Sequence, residues 1–268
     1  MWTLGSHLLG LLRFLRIGLL MTVKTLQEHE SISLRYFPKD YRRKSLERLA
    51  ISFVSGHRVL DMRCLTGEMS VALAKLGHDV CSLDAFHESV ECTNALAHSN
   101  NINQDIAQIW DLAGLVAKVG GKRFDTVICL DTLNHVIDDR LTVEEIAEVL
   151  RPDGRLILTA PAFPFLHGKR DERLGHLRRY TKTQLRGMLQ RYGFEIELLR
   201  FWNMIAFPAY TISEYILRRG VSDPIRFAQE GPLGMIPCHL LTWWYMNIEN
   251  RMLFPFGLTH FALARKRS

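Results

Sequence analysis

The stretch VLDMRCLTGE, residues 59–68, decides the fold. It reads as a short buried strand, a tight turn, and then the opening of a helix at Gly67 and Glu68. That arrangement is the first unit of a nucleotide-binding α/β domain, with the helix N-terminus turned toward an anionic ligand group. Such turns usually run D-x-G-x-G-x-G. Here Arg63 and Leu65 stand in the first two glycine places and only Gly67 remains. Glycine permits positive φ and close backbone approach, which Arg and Leu tolerate poorly. The stretch therefore implies the frame and leaves the ligand to the rest of the chain.

Beyond it the pattern alternates. Strands are expected at 57–62, 79–84, 105–109, 125–130 and 154–160, with helices near 67–76, 87–99, 111–118 and 142–150. Repeated strand–helix units imply a parallel sheet with helices on both faces. RPDG (151–154) reads as a turn. Thr181 and Gln184 make a capping box for a helix at 182–192, ended by Gly193. The tail breaks the alternation: EIELLRFW (195–202) and LTHFALAR (258–265) read as two strands that can pair antiparallel at one sheet edge. The apolar segment 203–257 between them reads as a helical insertion beside the site.

Composition sets the bounds. A chain of 268 residues that is 47% hydrophobic supports one large domain, placed at 41–268 behind an N-terminal apolar segment at 1–40. The net charge of +6 suits an anionic partner, such as a membrane surface or a phosphate-bearing substrate. The aromatics do not interleave with Lys and Arg in one patch, which argues against nucleic acid. The five cysteines lie apart, with no CxxC pair and no Cys/His cluster at metal spacing, so no metal is expected. Scattered thiols fit a reduced, cytoplasmic compartment. The N-terminal run SHLLGLLRFLRIGLLMTV is broken by Arg13 and Arg16 and is too short and charged for a membrane span. Its spacing fits a helix lying in a membrane interface, peripheral at the inner face. It fits equally a helix packed on its own domain or on a second copy, as in a homodimer. Met21 is a second candidate start.

In open parallel sheets, ligands bind beyond the carboxyl ends of the strands where the strand order reverses. Asp61 ends the first strand. Asp84 ends the second, some twenty residues past the turn, where a ribose hydroxyl pair is held. Trp110, Asp111 and Leu112 follow the third strand, and Leu130, Asp131 and His135 follow the fourth. The text FDTVICLDTLNHV and EEIAEVLRPDGRLILTAP (within 124–161) resembles the class I S-adenosylmethionine-dependent methyltransferases, over residues 57–202. The resemblance implies a Rossmann-like, seven-stranded, mostly parallel sheet with an antiparallel last strand, and S-adenosylmethionine as cofactor. PAFPFLHGKRDERLGHLRRYTKTQL (161–185) is similar to a segment of bacterial members with GHxRRYT, whose acceptors are of cell-envelope or lipid-linked glycan type.

The resemblance assigns roles. Asp61, Gly67 and the turn around Arg63 hold the methionine end of the cofactor, Asp84 with Ala85 the ribose, Asp111 with Leu112 the adenine, and Leu130 lies along the methionine. A capping role is the alternative for Asp84 and for Asp111. His135, His176 and Tyr180 are candidates for moving the acceptor's proton, since histidine titrates near neutral pH. Arg178 and Arg179 are candidates for binding an anionic group on a small or lipid-linked acceptor. The alternatives are a structural histidine at 135 and a loop held by ion pairs to Asp171 and Glu172. Departures from the family text at Arg63, Leu65, Asn134 and Asp153 keep a second reading open, a catalytically inactive scaffold or regulatory partner. A dinucleotide oxidoreductase is disfavoured, because G-x-G-x-x-G is absent.

Overall fold

The computed structural model describes residues 41–217 and 239–268, and the expectations for the N-terminal segment and for Cys238 lie outside the described residues. Seven strands form one sheet: β1 (Arg58–Met62), β2 (Asp79–Asp84), β3 (Ala107–Ile109), β4 (Phe124–Leu130), β5 (Leu150–Pro161), β6 (Phe194–Trp202) and β7 (Thr259–Lys266). Their order is β3-β2-β1-β4-β5-β7-β6. β1 pairs parallel with both β2 and β4, while β7 runs antiparallel between β5 and β6. The expected pair of tail strands thus forms, with β6 at the edge and β7 inside it. Strand order reverses between β1 and β4, which fixes the site at their carboxyl ends.

The faces separate by strand alternation. Leu60 and Met62 of β1, Val127 and Cys129 of β4, and Leu156 and Leu158 of β5 bury into one core. That core is closed by α4 (Leu115–Lys118), α5 (Asp139–Val149) and α7 (Lys182–Arg191). Val59, Ile128, Leu130 and Ile157 point the other way, into a core shared with α1 (Tyr41–Ile51) and α2 (Glu68–Lys75). α3 is His87–Ser99 and α6 is the short helix Lys169–Arg173. In the insertion, α8 (Phe207–Tyr210) runs on as a π-helix over Thr211–Ile216, and residues 239–249 are helical.

Two local expectations are corrected. The helix expected over 111–118 occupies only Leu115–Lys118, because Leu112 (φ 64°) and Gly114 (φ 60°) sit in the left-handed region and interrupt it. The segment 151–154 belongs to the start of β5. There Phe124 pairs with Leu150 and Thr126 already with Arg155, so the extra residues bulge out with Asp153 at φ 61°.

Candidate active site

The turn after β1 keeps a glycine-like path without the glycines. Arg63 has φ 149°, Leu65 φ 52° and Gly67 φ 76°. Positive φ costs a non-glycine residue about 1–3 kcal/mol and persists only where the surroundings impose it. Here they do. The Cys64 amide donates to the Leu83 carbonyl at 3.1 Å. The Leu65 amide donates to Asp84 Oδ2 at 2.9 Å. The Gly67 amide donates to the Cys64 carbonyl at 2.8 Å. Gly67 alone needs to be glycine for packing as well, since a Cβ there would lie 2.8 Å from the Thr93 Cα on α3.

Asp84, at the end of β2, anchors this turn. It is 1% exposed, and its second oxygen accepts from the Phe86 amide at 3.1 Å. It therefore ties the turn to the chain just before α3. Burial pushes its pKa up, against the pull of Arg63 and of the Leu65, Phe86 and Ala85 amides. A carboxylate has about four acceptor positions, and the Leu65 and Phe86 amides, with the Cys64 thiol at 3.9 Å, leave room for one more donor. Met62, Arg63, Asp84, Ala85, Phe86, Trp110, Leu112 and His135 line a narrow cleft with about 10 Å³ of free space. Trp110 is held there by its indole bond to the Ala113 carbonyl, 2.8 Å.

The structure thus brings together Arg63, Asp84, Ala85, Leu112 and His135 in one cleft. Other expected positions fall outside its lining. Asp61 lies buried against α2, accepting from Ser70 Oγ at 2.6 Å. Burial pushes its pKa to about 7, with the Ser70 bond pulling down. Leu130 packs in the core beside α1. Asp111 is exposed and caps no helix, because the helix begins later.

Arg63 reaches across the reversal point, donating from Nη1 to the Asp131 carbonyl at 2.9 Å. Asp131 is a residue that the sequence reading left without a role. Its Oδ1 accepts from Thr159 Oγ1 at 3.1 Å. Burial pushes its pKa up, and Arg42, Arg43, His176 and Arg63 more than reverse that, leaving it below the usual carboxylate value. Arg42 and Arg43 come from α1, which no motif marks; Arg43 is held by Glu47 at 2.7 Å.

A second cluster sits beside the cleft. The His176 ring stands edge-on to the His135 ring, centroids 4.9 Å apart. The loop carrying it is tied to the turn after β4 by the Leu177 amide, which donates to the Asn134 carbonyl at 2.7 Å. His176 Nδ1 lies 2.8 Å from Asp171 Oδ1. Arg179 Nε donates to Asp171 Oδ2 at 2.9 Å, and Arg179 Nη2 donates to the Tyr210 hydroxyl. Burial lowers the His176 pKa, with Asp171 pulling it back up. Burial thus favours the neutral ring.

The remaining candidates are committed elsewhere. The Tyr180 hydroxyl lies 2.8 Å from Asp139 Oδ2 and 3.1 Å from the Leu133 carbonyl. Burial and the Asp139 carboxylate push its pKa up, so it serves as a tie between loops and is a poor proton carrier. Arg178 bonds the Ile137 carbonyl and pairs with Asp139. Arg179 is buried on Asp171. Neither guanidinium is poised for an acceptor.

A family model described as a methyltransferase domain matches residues 34–199. The ubiquinone biosynthesis O-methyltransferase of Xanthomonas euvesicatoria pv. vesicatoria is 29% identical over 143 residues, 50% of this chain and 59% of that protein. The chain thus covers less than two thirds of that relative's length. Among solved structures, the YcgJ protein of Bacillus subtilis matches with TM-score 0.52 at 20% identity, covering 84% of this chain and 99% of that one. The [4+2]-cyclase SpnF matches with TM-score 0.50 at 18% identity, covering 83% and 80%. These two likenesses concern the fold, and the cyclase carries a warning that fold alone does not fix a reaction.

Replacing Gly67 tests the described path of the turn. Gly67→Ala should lower unfolding stability by about 2–4 kcal/mol in a urea titration, from the Thr93 contact and the positive φ together. A loss under about 0.5 kcal/mol, the size of an ordinary surface change, would mean that the turn runs elsewhere.

Proposed function

The chain belongs to the methyltransferase-domain family, and from that premise we propose that it transfers a methyl group from S-adenosylmethionine to an oxygen or nitrogen of a small or lipid-linked acceptor. The observation that carries this reading is the cleft itself. The strained turn, with Arg63 and Leu65 in glycine places, still closes onto Asp84 and lines a narrow cleft at the ends of β1, β2 and β3, which a bound cofactor would widen.

The residues present fit the cofactor. Asp84 is a buried carboxylate with acceptor capacity to spare, suited to a ribose diol. Trp110, Ala85, Phe86 and Leu112 supply apolar walls for a purine. Arg63, whose Nη1 donates to the Asp131 carbonyl beside the cleft, is suited to bind the cofactor's carboxylate. Asp61 and Gly67 act one layer beneath, shaping the turn, and Leu130 supports the floor. When bound, S-adenosylmethionine supplies an electrophilic methyl on sulfonium sulfur. The chain must then orient the acceptor and take its proton. His176 is assigned that proton at Nε2, because its Nδ1 faces Asp171; His135 forms the wall between cleft and base.

The insertion supports an apolar or lipid-linked acceptor. Ile212, Tyr215, Ile216 and Leu217 are exposed on one helix, and Trp243 and Leu253 are exposed elsewhere in the insertion. Its two described acids are turned inward, Glu214 at 8% and Glu249 at 0% exposure, while Arg251 is exposed. Such a surface suits peripheral contact with an anionic membrane. Among the described residues no helix is long and apolar enough to cross one.

Calorimetric titration tests the cofactor site. Wild type should bind S-adenosylhomocysteine. Asp84→Asn should weaken it about 10- to 100-fold, the size of a lost charged hydrogen bond. Arg63→Ala should weaken it about tenfold while leaving methylthioadenosine, which lacks the carboxylate, unchanged. No binding by wild type at millimolar ligand would favour the inactive-scaffold reading. Vesicle flotation tests the membrane contact. The full chain should float with anionic vesicles and Ile212→Glu/Ile216→Glu should not; wild type failing to float would remove the membrane from the account.

A further inference from the structure

The buried network behind His176 contains more groups than a loop tie requires. Asp171 is fully buried and is approached by four partners. These are His176 Nδ1 at 2.8 Å, Arg179 Nε at 2.9 Å, the Gly168 amide at 3.2 Å and the Tyr210 hydroxyl at 3.3 Å. The His176 amide also donates to the Asp171 carbonyl at 2.8 Å, so ring and backbone of one residue are fixed by ring partner and backbone of the other. Arg179 is anchored in turn, donating from Nη1 to the Ala162 carbonyl at 2.9 Å and standing 5.0 Å over the Tyr210 ring. Tyr210 comes from the insertion, at the end of α8.

We propose that Asp171 is a positioning residue that holds His176 as the Nδ1–H tautomer with Nε2 open as a base, and that Tyr210 makes this positioning dependent on the seating of the insertion. The proposal rests on the reading of His176 as the acceptor's base. A carboxylate accepts and cannot donate, so Asp171 selects the Nδ1–H tautomer. The proton taken from the acceptor would sit on Nε2, and the positive ring so formed would be stabilised by the Asp171 charge behind it. Arg179 keeps Asp171 ionised: burial raises the carboxyl pKa, and the His176 bond and Arg179 pull it down to about 2. Among the described residues, the other ionic groups acting on the ring are Asp131 at the end of β4, whose charge favours a positive ring, and Arg179, whose charge opposes it, while the titratable His135 ring stands edge-on to it. The His167 ring reaches the His176 carbonyl through Nε2 at 3.0 Å.

The coupling follows from where Tyr210 comes from. Its hydroxyl touches Asp171 and accepts from Arg179, and both partners belong to the segment after β5. A displacement of α8 removes that hydroxyl from the pair and loosens the carboxylate that orients the ring. The base is therefore set only while α8 is seated.

Long-range proton–nitrogen NMR of histidine-labelled full chain reads this without an acceptor. Wild type at pH 7 should show neutral His176 with the proton on Nδ1. Asp171→Asn should lose that tautomer and drop the His176 pKa by about one unit or more, since the carboxylate's contribution is removed. Tyr210→Phe should keep the fold and broaden or shift the His176 ring signals. A wild-type proton on Nε2 overturns the proposal without any variant. An unchanged tautomer and pKa in Asp171→Asn overturns the positioning role, and unchanged ring signals in Tyr210→Phe overturn the coupling. Failure of the broader functional reading is seen separately, as absent binding of S-adenosylhomocysteine.

Discussion

The bond from the Leu65 amide to Asp84 Oδ2 carries the site. It joins the turn after β1 to the end of β2 across the line where the cofactor cleft opens. The turn has lost two glycines, yet its backbone still takes positive φ at Arg63 and Leu65. Such conformations persist only when the surroundings over-determine them. Asp84 shares that determination with the Leu83 and Cys64 carbonyls, and its own burial is tolerable because amides and a nearby guanidinium share its charge. Without that carboxylate the turn loses its one side-chain anchor of the three, and the cleft between Met62, Trp110 and Leu112 loses a wall.

The other half of the site is built independently. Its scaffold is the loop after β5, pinned to the turn after β4 by Leu177 and Asn134. Polar groups there form matched sets: a mostly buried one of Asp171 with Arg179, His176 and Tyr210, and a half-buried one of Asp139 with Arg178 and Tyr180. A buried charge removed from such a set leaves its partner unsatisfied, which is costly. The two halves meet at the His135 and His176 rings, so the distance between a bound cofactor and the base is set by how β4 and β5 pair in the sheet.

Much of the frame was legible in the sequence. Strand and helix periods, the capping box at Thr181 and the two tail strands placed the sheet, because local patterns dictate those elements. What escaped was imposed from a distance. Nothing local says that Leu112 takes a left-handed φ and delays α4. The path of the turn at Arg63 depends on a carboxylate one strand away. The GHLRRY segment is visible as a unit, but its arginines suit an acceptor equally well in sequence, and only the fold brings Asp171 and Tyr210 onto Arg179. Arg42 and Arg43 sit on a helix with no motif, and only folding brings their charge to Asp131.

The central claim is that a turn without its usual glycines still seats the cofactor, with Arg63 moving from a backbone carbonyl to the cofactor's carboxylate. The most direct measurement is a crystal structure of the full chain with S-adenosylhomocysteine. The ribose should lie on Asp84, the purine beside Trp110 and Leu112, and the Arg63 guanidinium on the ligand carboxylate. A ligand bound elsewhere, or an Arg63 still on the Asp131 carbonyl with the carboxylate turned to solvent, would contradict it.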